Sequence, residues 1–269
     1  MYALSIVISA LYLAVAVLSG AYFFTGMRRL FNINSWILPA SITLHLVHLI
    51  VFAVREGKVP FTSLFEALSI VSFLLAAIYL IMRLTLDIKS LALFVFPFVF
   101  VFQVISAFSP RIMYLGTSFA QSPLFWFHTL TILLGYAAFV YSMIIGVMYL
   151  NLFRDLKAKK QSLMYDRLPP LDLLERMNAI ALLGGFIFLT VGIVLGSALA
   201  ISAWGNLPIL DPKISLSLLL WVFYIFGLVT SRVLRWSGKK TSYFAIIGFA
   251  LLVLFMVGAR MFEATFHRF

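Results

Sequence analysis

The chain has 269 residues, of which 64% are hydrophobic and 11% are charged, and its formal net charge is +11. A soluble domain of this size cannot bury so much apolar surface, so the composition predicts an integral membrane protein. Cysteine is absent, which excludes disulfide exchange and thiolate metal sites. The positive charge is weak evidence for a nucleic-acid partner, because Lys and Arg flank membrane spans in any case. We expect no nucleic-acid binding.

Runs of about 20 apolar residues, the length that crosses the hydrocarbon core, recur along the chain. We predict an all-α, polytopic membrane protein with about eight transmembrane helices, in a single domain covering residues 1–269. The predicted spans lie near Tyr2–Phe24, Trp36–Val54, Leu64–Met82, Leu91–Phe108, Leu124–Phe153, Ala179–Ile201, Ile214–Ser231 and Tyr243–Val257. The fifth run is longer than a bilayer requires, so it should tilt or protrude. The first run lacks a basic leader, which indicates a retained anchor rather than a cleaved signal peptide.

The positions of Lys and Arg predict the orientation, since these residues concentrate in cytoplasmic loops. Most of the basic residues follow the first, third, fifth and seventh spans, which places both termini outside. The fifth loop, about Arg154 to Arg176, is the largest predicted inner segment. It also carries acidic residues, namely Asp155, Asp166, Asp172 and Glu175. This loop suits either contact with anionic lipid or docking of a cytoplasmic protein.

Two histidines lie inside the second span, where a polar side chain is costly unless it has a partner. His45 and His48 are three residues apart and therefore share roughly one helix face. Either a helix-packing hydrogen bond or a ligand role would explain them. In the loop that follows, Ser63 and Glu66 have the spacing of a capping box, which predicts that the third helix begins there.

A third histidine, His128, opens the fifth span at its predicted outer end, within Ser-Pro-Leu-Phe-Trp-Phe-His. An aromatic and imidazole cluster at the lipid–water boundary suits a snorkelling interfacial anchor. It equally suits an axial ligand to a flat, apolar macrocycle resting on Trp126 or Trp204. The residues alone are compatible with both the anchor and the ligand interpretation.

The connection between the sixth and seventh spans has an unusual composition, with Trp204, Gly205, Asp211, Pro212 and Lys213 close together. Proline resists helix continuation, so we predict an ordered loop that feeds the next helix near Asp211. Asp211 before a proline is typical of an N-cap, where its charge suits the positive end of the helix.

Together these segments resemble the CcsA, ResC and CcmC-type haem-handling family of cytochrome c assembly. The family's outer loop has the pattern Trp-Gly-x-x-Trp-x-Trp-Asp-Pro-Lys, with a further Trp downstream. The residues that carry the resemblance in this loop are Trp204, Gly205, Asp211, Pro212, Lys213 and Trp221. Outside the loop they are Leu174–Asn178, Phe188–Gly192, Gly196, His128 with Tyr136, and His48 with Arg55, Gly57, Pro60 and Glu66.

The chain also departs from the family pattern. The two inner tryptophans of the loop are Pro208 and Leu210, and the second external histidine falls on Arg260. The second membrane histidine falls on Val229, so each bis-histidine pair lacks one member. The sequence therefore resembles the shorter HemX and YpjD-like branch most closely. His267, seven residues beyond Arg260, is a weak candidate for the missing ligand.

The resemblance implies a protein of the bacterial inner membrane that binds or presents non-covalent b-type haem at its outer face. It would act in cytochrome c maturation or haem trafficking, and it would not be an enzyme. The implied haem-binding residues are His128, His48, Trp204, Trp126, Asp211, Lys213, Arg260 and Arg55. His128 and His48 would be the iron ligands, the indoles would stack on the macrocycle, and the cations would steer the propionates.

The HemX resemblance implies a second function, a non-enzymatic regulator that acts through the basic inner loop on a cytoplasmic partner such as glutamyl-tRNA reductase. A cytochrome c assembly protein is the partner expected under the first hypothesis. A transporter is less favoured, because the spans lack the buried carboxylates and paired charges that ion-coupled carriers place near the midplane.

Overall fold

The computed structural model describes residues 2–56, 63–108, 122–205, 209 and 211–261, without the side chains of residues 64, 203, 204, 232 and 259–261. The described residues form helices and no strand. The helices are α1 (Tyr2–Thr25), α2 (Arg28–Glu56), α3 (Leu64–Leu86), α4 (Leu91–Ala107), α5 (Pro123–Lys157), α6 (Leu163–Arg167), α7 (Leu171–Trp204), α8 (Pro212–Val233) and α9 (Gly238–Met261). Each predicted span coincides with a helix, which confirms the all-α prediction.

Within the described residues, seven helices are long and apolar enough to cross a membrane, and the chain is a multi-pass membrane protein. The fourth predicted span, α4, is a shorter apolar helix of 17 residues. The count of eight spans and the outer position of both termini stay predictions.

Two helices begin eight residues earlier than their predicted apolar runs. α2 begins at Arg28 rather than at Trp36, and its early turns contain the buried side chain of Asn34, whose amide nitrogen donates to Ser19 Oγ at 2.9 Å. α7 begins at Leu171 rather than at Ala179. The charged residues at 172–176 are therefore helical, and the prediction that they belong to a loop is wrong. A helix leaves the bilayer without ending, so hydropathy marks the membrane boundary rather than the helix boundary.

The predicted inner loop after α5 is also partly helical. Its middle forms α6, capped by Ser162, whose hydroxyl accepts from the Tyr165 amide at 3.2 Å. The Arg167 guanidinium donates to the carbonyl oxygens of Tyr22, at 2.9 Å, and of Phe23. These carbonyls belong to the last turn of α1, whose C-terminal acceptors have no partners within their own helix. Arg167 is thus a structural residue that caps α1.

The helices group into two compact units. The first comprises Met1–Leu115 with Gln161–Pro169, and the second comprises Gly116–Lys160 with Pro170–Phe269. In the first unit α1 packs on α2 and α4, and α3 packs on α2 and α4. In the second unit α5 packs on α7 and α9, and α8 packs on both α7 and α9. The single-domain expectation stays a prediction.

α5 and α7 are antiparallel and very close, because glycines line their contact. A Cβ built on Gly135 would lie 3.2 Å from the Gly185 carbonyl oxygen, and one on Gly185 would lie 2.6 Å from the Phe139 ring. Small residues allow such close helix approach inside membranes, where packing drives association. Phe139 in turn stacks on Tyr224 of α8, with ring centroids 3.8 Å apart. This core fixes the height and rotation of α5 against α7.

Candidate functional site

His128 lies one turn into α5, where the helix contacts α7. The helix begins at Pro123, and Ser122 caps it by accepting from the Phe125 amide at 3.3 Å. The imidazole Nδ1 lies 2.7 Å from the carbonyl oxygen of Gly192. The side chain is partly buried and points toward α7 rather than away from the protein. The anchor interpretation of His128, which needs an outward side chain, is therefore disfavoured.

The missing side chain of Gly196 makes room for the His128 ring. A Cβ at Gly196 would lie 2.5 Å from His128 Cε1 and 2.8 Å from its Nδ1, closer than real Cβ contacts. Gly192 and Gly196 are one turn apart on α7. Gly192 supplies the carbonyl that holds the imidazole, and Gly196 supplies the space beside it. We call this arrangement the histidine slot.

The histidine slot determines which ring nitrogen carries the proton. A carbonyl oxygen can only accept a hydrogen bond, so Nδ1 of His128 must be the donor. A neutral imidazole then has its lone pair on Nε2, which makes no hydrogen bond among the described residues. Metal-binding histidines commonly have this arrangement, in which the far nitrogen donates to a carbonyl and fixes the tautomer.

Trp126 and His128 are two residues apart in one helix, which separates their directions by about 200° around the axis. Trp126 is partly exposed and lies on a different face of α5 from His128. The aromatic residue that shares the His128 face is Phe125, three positions earlier. The predicted stacking role of Trp126 stays a prediction.

α7 ends at Trp204, and its C-cap is Gly205, whose positive φ of 74° lets its amide donate back to Ile201. Trp204 is eight residues beyond Gly196, about 12 Å further along the axis. The side chain of Trp204 lies outside the described residues, so its predicted contact with a macrocycle stays a prediction.

After α7 the helix resumes at Pro212, in agreement with the predicted helix start near Asp211. Asp211 is the N-cap, 3% exposed, and its carboxylate accepts from the Lys213 amide at 2.9 Å and the Ile214 amide at 3.4 Å. The prediction of an Asp-Pro helix start is confirmed. Asp211 thus has a structural role, and the haem-binding roles predicted for Asp211 and Lys213 stay predictions.

Trp221 is turned toward α7 inside the second unit. Its indole N–H donates to Thr190 Oγ1 at 2.9 Å, and its ring lies 5.7 Å from that of Phe186. The tryptophan that matches the downstream position of the family pattern therefore joins α8 to α7.

Arg260 and Val229 occupy the positions where the family pattern has its second histidines, and His267 is the candidate replacement. The backbone of Arg260 is helical in α9, but its side chain and all of His267 lie outside the described residues. Val229 is an exposed residue of α8. The propionate role predicted for Arg260 and the ligand role of His267 stay predictions.

In the first unit, His45 is the centre of a buried chain of hydrogen bonds across α1 to α4. The Tyr12 hydroxyl donates to His45 Nδ1 at 2.9 Å, and His45 Nε2 donates to Ser69 Oγ at 2.9 Å. Ser69 donates to Gln103 Oε1 at 3.1 Å, and the Gln103 amide donates to Ser5 Oγ at 3.2 Å. Ser69 donates its single hydroxyl proton to Gln103, so it must accept the hydrogen bond from His45 Nε2. Both nitrogens of His45 are engaged, which favours helix packing over ligation.

His48 lies one turn further along α2. It is buried, and its ring centroid is 6.4 Å from that of His45. Arg55 is an exposed residue in the last turn of the same helix. The ligand role of His48 and the propionate role of Arg55 stay predictions.

Comparison with known proteins identifies the family of the chain. The family model described as cytochrome C assembly protein matches residues 4–267. The chain belongs to this family. It is 31% identical over 220 residues to Protein HemX of Brevibacillus brevis, covering 80% of this chain and 79% of that protein. It is 24% identical over 225 residues to the cytochrome c biogenesis protein CcsA of Chlamydomonas reinhardtii, covering 80% of this chain and 62% of that relative.

A further family member, CcsA of Prochlorococcus marinus (strain NATL1A), is 31% identical over 96 residues, which cover 36% of this chain and 30% of that protein. The matches thus reach less than two thirds of the length of these CcsA relatives and more than two thirds of HemX. This agrees with the resemblance to the shorter branch.

Several residues of the site were not given their roles by the sequence. Gly192 and Gly196 were recognised as residues of the family pattern, but their contact with His128 was not predicted. Their four-residue spacing on a helix, opposite a span that opens on a histidine, was the available signal. Ser69, Gln103 and Arg167 gave no comparable signal, because a lone polar residue does not reveal its partner.

Proposed function

We propose that this protein binds haem non-covalently through His128 and presents it at the outer face of the bacterial inner membrane, in cytochrome c maturation or haem trafficking. The observation that carries the proposal is the 2.7 Å contact between His128 Nδ1 and the Gly192 carbonyl. It leaves Nε2 as the only nitrogen of this ring that can donate a lone pair.

The residues present fit an iron ligand of this kind. Haem iron is commonly held by a neutral histidine whose second nitrogen donates to an oriented acceptor. A bound haem would supply an iron that the His128 imidazole could hold through Nε2. Gly192 holds the ring, Gly196 leaves it space, and Phe125 offers an aromatic surface on the same helix face.

The remaining haem-binding residues are proposed on charge and residue type. Lys213 and Arg260 belong to the second unit, as His128 does, and each would pair with a carboxylate of the ligand. Trp126 and Trp204 offer indole surfaces, while Asp211 holds the start of α8 in place for Lys213. In the first unit His48 is a second proposed ligand, and Arg55 is a cation for that region. We propose binding and delivery rather than catalysis.

The test is the visible spectrum and haem content of the full-length protein purified after expression with ample haem. His128→Asn removes the Nε2 ligand but keeps a side-chain amide that can donate to Gly192. It should fold like the wild type and lose the Soret absorbance that depends on His128. His128→Gly should recover this absorbance when free imidazole is added. A wild-type protein with no more Soret absorbance than His128→Asn would contradict the proposal.

A second candidate function is supported by the 79% coverage of HemX together with Arg260 and Val229 at expected ligand positions. Under this alternative the predicted inner segment regulates a cytoplasmic partner such as glutamyl-tRNA reductase. The exposed lysines Lys157, Lys159 and Lys160 are suitable targets, because neutralising them spares Arg167 and its cap on α1. Reductase abundance should change in the triple Lys→Gln variant, and an unchanged level would count against regulation.

A further inference from the structure

Basic side chains gather at one end of the first unit, where α1 and α3 end and α2 and α4 begin. Arg28 and Arg29 form the first turn of α2, Arg83 lies in the last turn of α3, and Lys89 precedes α4. We call these four residues the basic cluster. In the described ranges, one carboxylate pairs with the cluster: Asp87, 3.1 Å from Lys89 Nζ.

Two members of the basic cluster converge on one aromatic ring. The Arg83 guanidinium carbon is 4.5 Å from the centroid of the Phe31 ring, and Lys89 Nζ is 4.9 Å from it. Arg83 also donates to Ser35 Oγ, which holds the guanidinium against α2. A guanidinium has five N–H donors, so Arg83 is positioned and retains donors for another ligand.

The basic cluster has an unfavourable electrostatic balance within the unit. Arg28 and Arg29 lie at the positive end of the α2 dipole, and the first turn of α2 contains no acidic residue. Like charges that converge on one ring repel each other, and a single pairing with Asp87 does not neutralise four cations. An anion bound among these side chains would relieve the repulsion.

The surroundings of the basic cluster select a lipid over a soluble anion. Large apolar side chains beside it are exposed: Phe24 by 58%, Met27 by 59% and Leu84 by 76%. An inorganic phosphate makes no use of such a surface, whereas a phospholipid places its phosphate on the cations and its chains on the apolar residues. Basic groups between helix ends at the membrane surface recognise anionic headgroups in this way.

We propose that the basic cluster binds the headgroup phosphate of an anionic phospholipid. Arg83 and Lys89 contact the phosphate while Phe31 forms the floor beneath them. Arg28 and Arg29 add charge from the first turn of α2, and Phe24 and Leu84 contact the acyl chains. The site belongs to the first unit and does not depend on haem binding by His128.

Native mass spectrometry of the full-length protein in detergent can measure this binding. The probes are phosphatidylglycerol, phosphatidylcholine with the same acyl chains, and inorganic phosphate. We expect phosphatidylglycerol to bind more tightly than phosphatidylcholine and inorganic phosphate not to compete at equal concentration. Each basic residue near an anionic surface is worth about fivefold in affinity, so Arg83→Gln with Lys89→Gln should weaken phosphatidylglycerol binding about 25-fold.

Two further variants make the experiment decisive. Arg29→Gln with Lys89→Gln leaves the Arg83–Ser35 bond intact and should weaken phosphatidylglycerol binding as strongly as the first pair. A loss in this variant cannot come from breaking that bond, so it separates headgroup contact from misfolding. Arg235→Gln with Lys240→Gln removes the same charge from exposed positions of the second unit and should change affinity less than about fivefold. Equal binding of both phospholipids, competition by inorganic phosphate, or wild-type affinity in both cluster variants would overturn the proposal.

Discussion

At His128, one hydrogen bond and one absent side chain set the orientation of the ring. The Gly192 carbonyl accepts from Nδ1, and Gly196 leaves the space into which the imidazole turns. A histidine with a free rotamer would expose either nitrogen, whereas this one presents Nε2. The neighbours of a ligand residue thus matter as much as its identity.

Replacing Gly196 with alanine should displace the His128 ring. Alanine is a better helix former than glycine, so α7 itself should not weaken. On the proposed haem-binding function, we expect haem affinity to fall by about 10- to 100-fold, as when a group that orients a metal ligand is lost. Haem titration followed by the Soret band measures this change. Gly184→Ala is the matched control in the same helix, since its Cβ meets nothing within 4 Å.

Replacing Ser69 with alanine should destabilise the first unit. It leaves His45 Nε2 without its acceptor and Gln103 Oε1 without its donor, both of them buried, and such a loss costs about 1–3 kcal/mol. Unfolding in mixed detergent micelles measures the difference. Ser9→Ala is the control, because among the described residues the Ser9 hydroxyl bonds only to the Ser5 carbonyl in its own helix, and it should cost about 0.5 kcal/mol or less. Equal losses in the two variants would mean that the chain of hydrogen bonds adds nothing.

At the scale of elements, side-chain caps mark where several helices begin. Ser63 accepts from the Glu66 amide at 3.2 Å, Ser122 caps α5 and Asp211 caps α8. In each case the sequence carried the signal, a short polar residue before an apolar run. The caps therefore fix the start of α5, five residues before His128, and the start of α8, where Lys213 lies.

Replacing Asp211 with alanine should lower the free energy of unfolding by about 1 kcal/mol through loss of the N-cap. Asp211→Ser keeps a side-chain oxygen at the cap and should retain most of that stability. Thermal unfolding of the purified variants measures both effects. The pair also tests the haem-binding role, since a fall in haem affinity for Asp211→Ser at unchanged stability would indicate direct contact with the ligand.

At the scale of the whole molecule, the chain forms two compact units with different polar interiors. The first contains the hydrogen-bonded chain centred on His45, and the second contains the histidine slot and the stacked rings of Phe139 and Tyr224. The number of spans decides whether the two termini lie on the same side of the membrane. α4, with 17 residues, is the helix on which that number depends.

The distribution of Lys and Arg predicts that both termini are outside, which requires an even number of spans. Alkaline phosphatase, active only outside, and green fluorescent protein, fluorescent only inside, can be fused to each terminus in turn. We expect phosphatase activity and no fluorescence at both ends. Reporters on opposite sides would contradict the eight-span topology and would indicate that α4 does not cross.

The sequence predicted the helices well because membrane spans are long apolar runs, and the caps at Ser63 and Asp211 carry local signals. It misplaced the starts of α2 and α7, where polar residues such as Asn34 extend the helix beyond the apolar run. Within the site, the sequence identified the residues of the family pattern, but it did not predict that His128 packs against Gly192 and Gly196. The fit of His128 against Gly196 depends on the register between two helices that are separated in sequence, and no local pattern encodes that register.

The hydrogen-bonded chain from Tyr12 to Ser5 has a consequence for proton movement through the first unit. Its hydroxyl and imidazole links could each pass a proton along, but Gln103 is an amide, which accepts through oxygen and donates through nitrogen. A proton could cross that link only if the amide isomerised to its imidic acid form. Among the described residues, the polar contacts that join the four helices thus do not form a continuous proton-conducting wire.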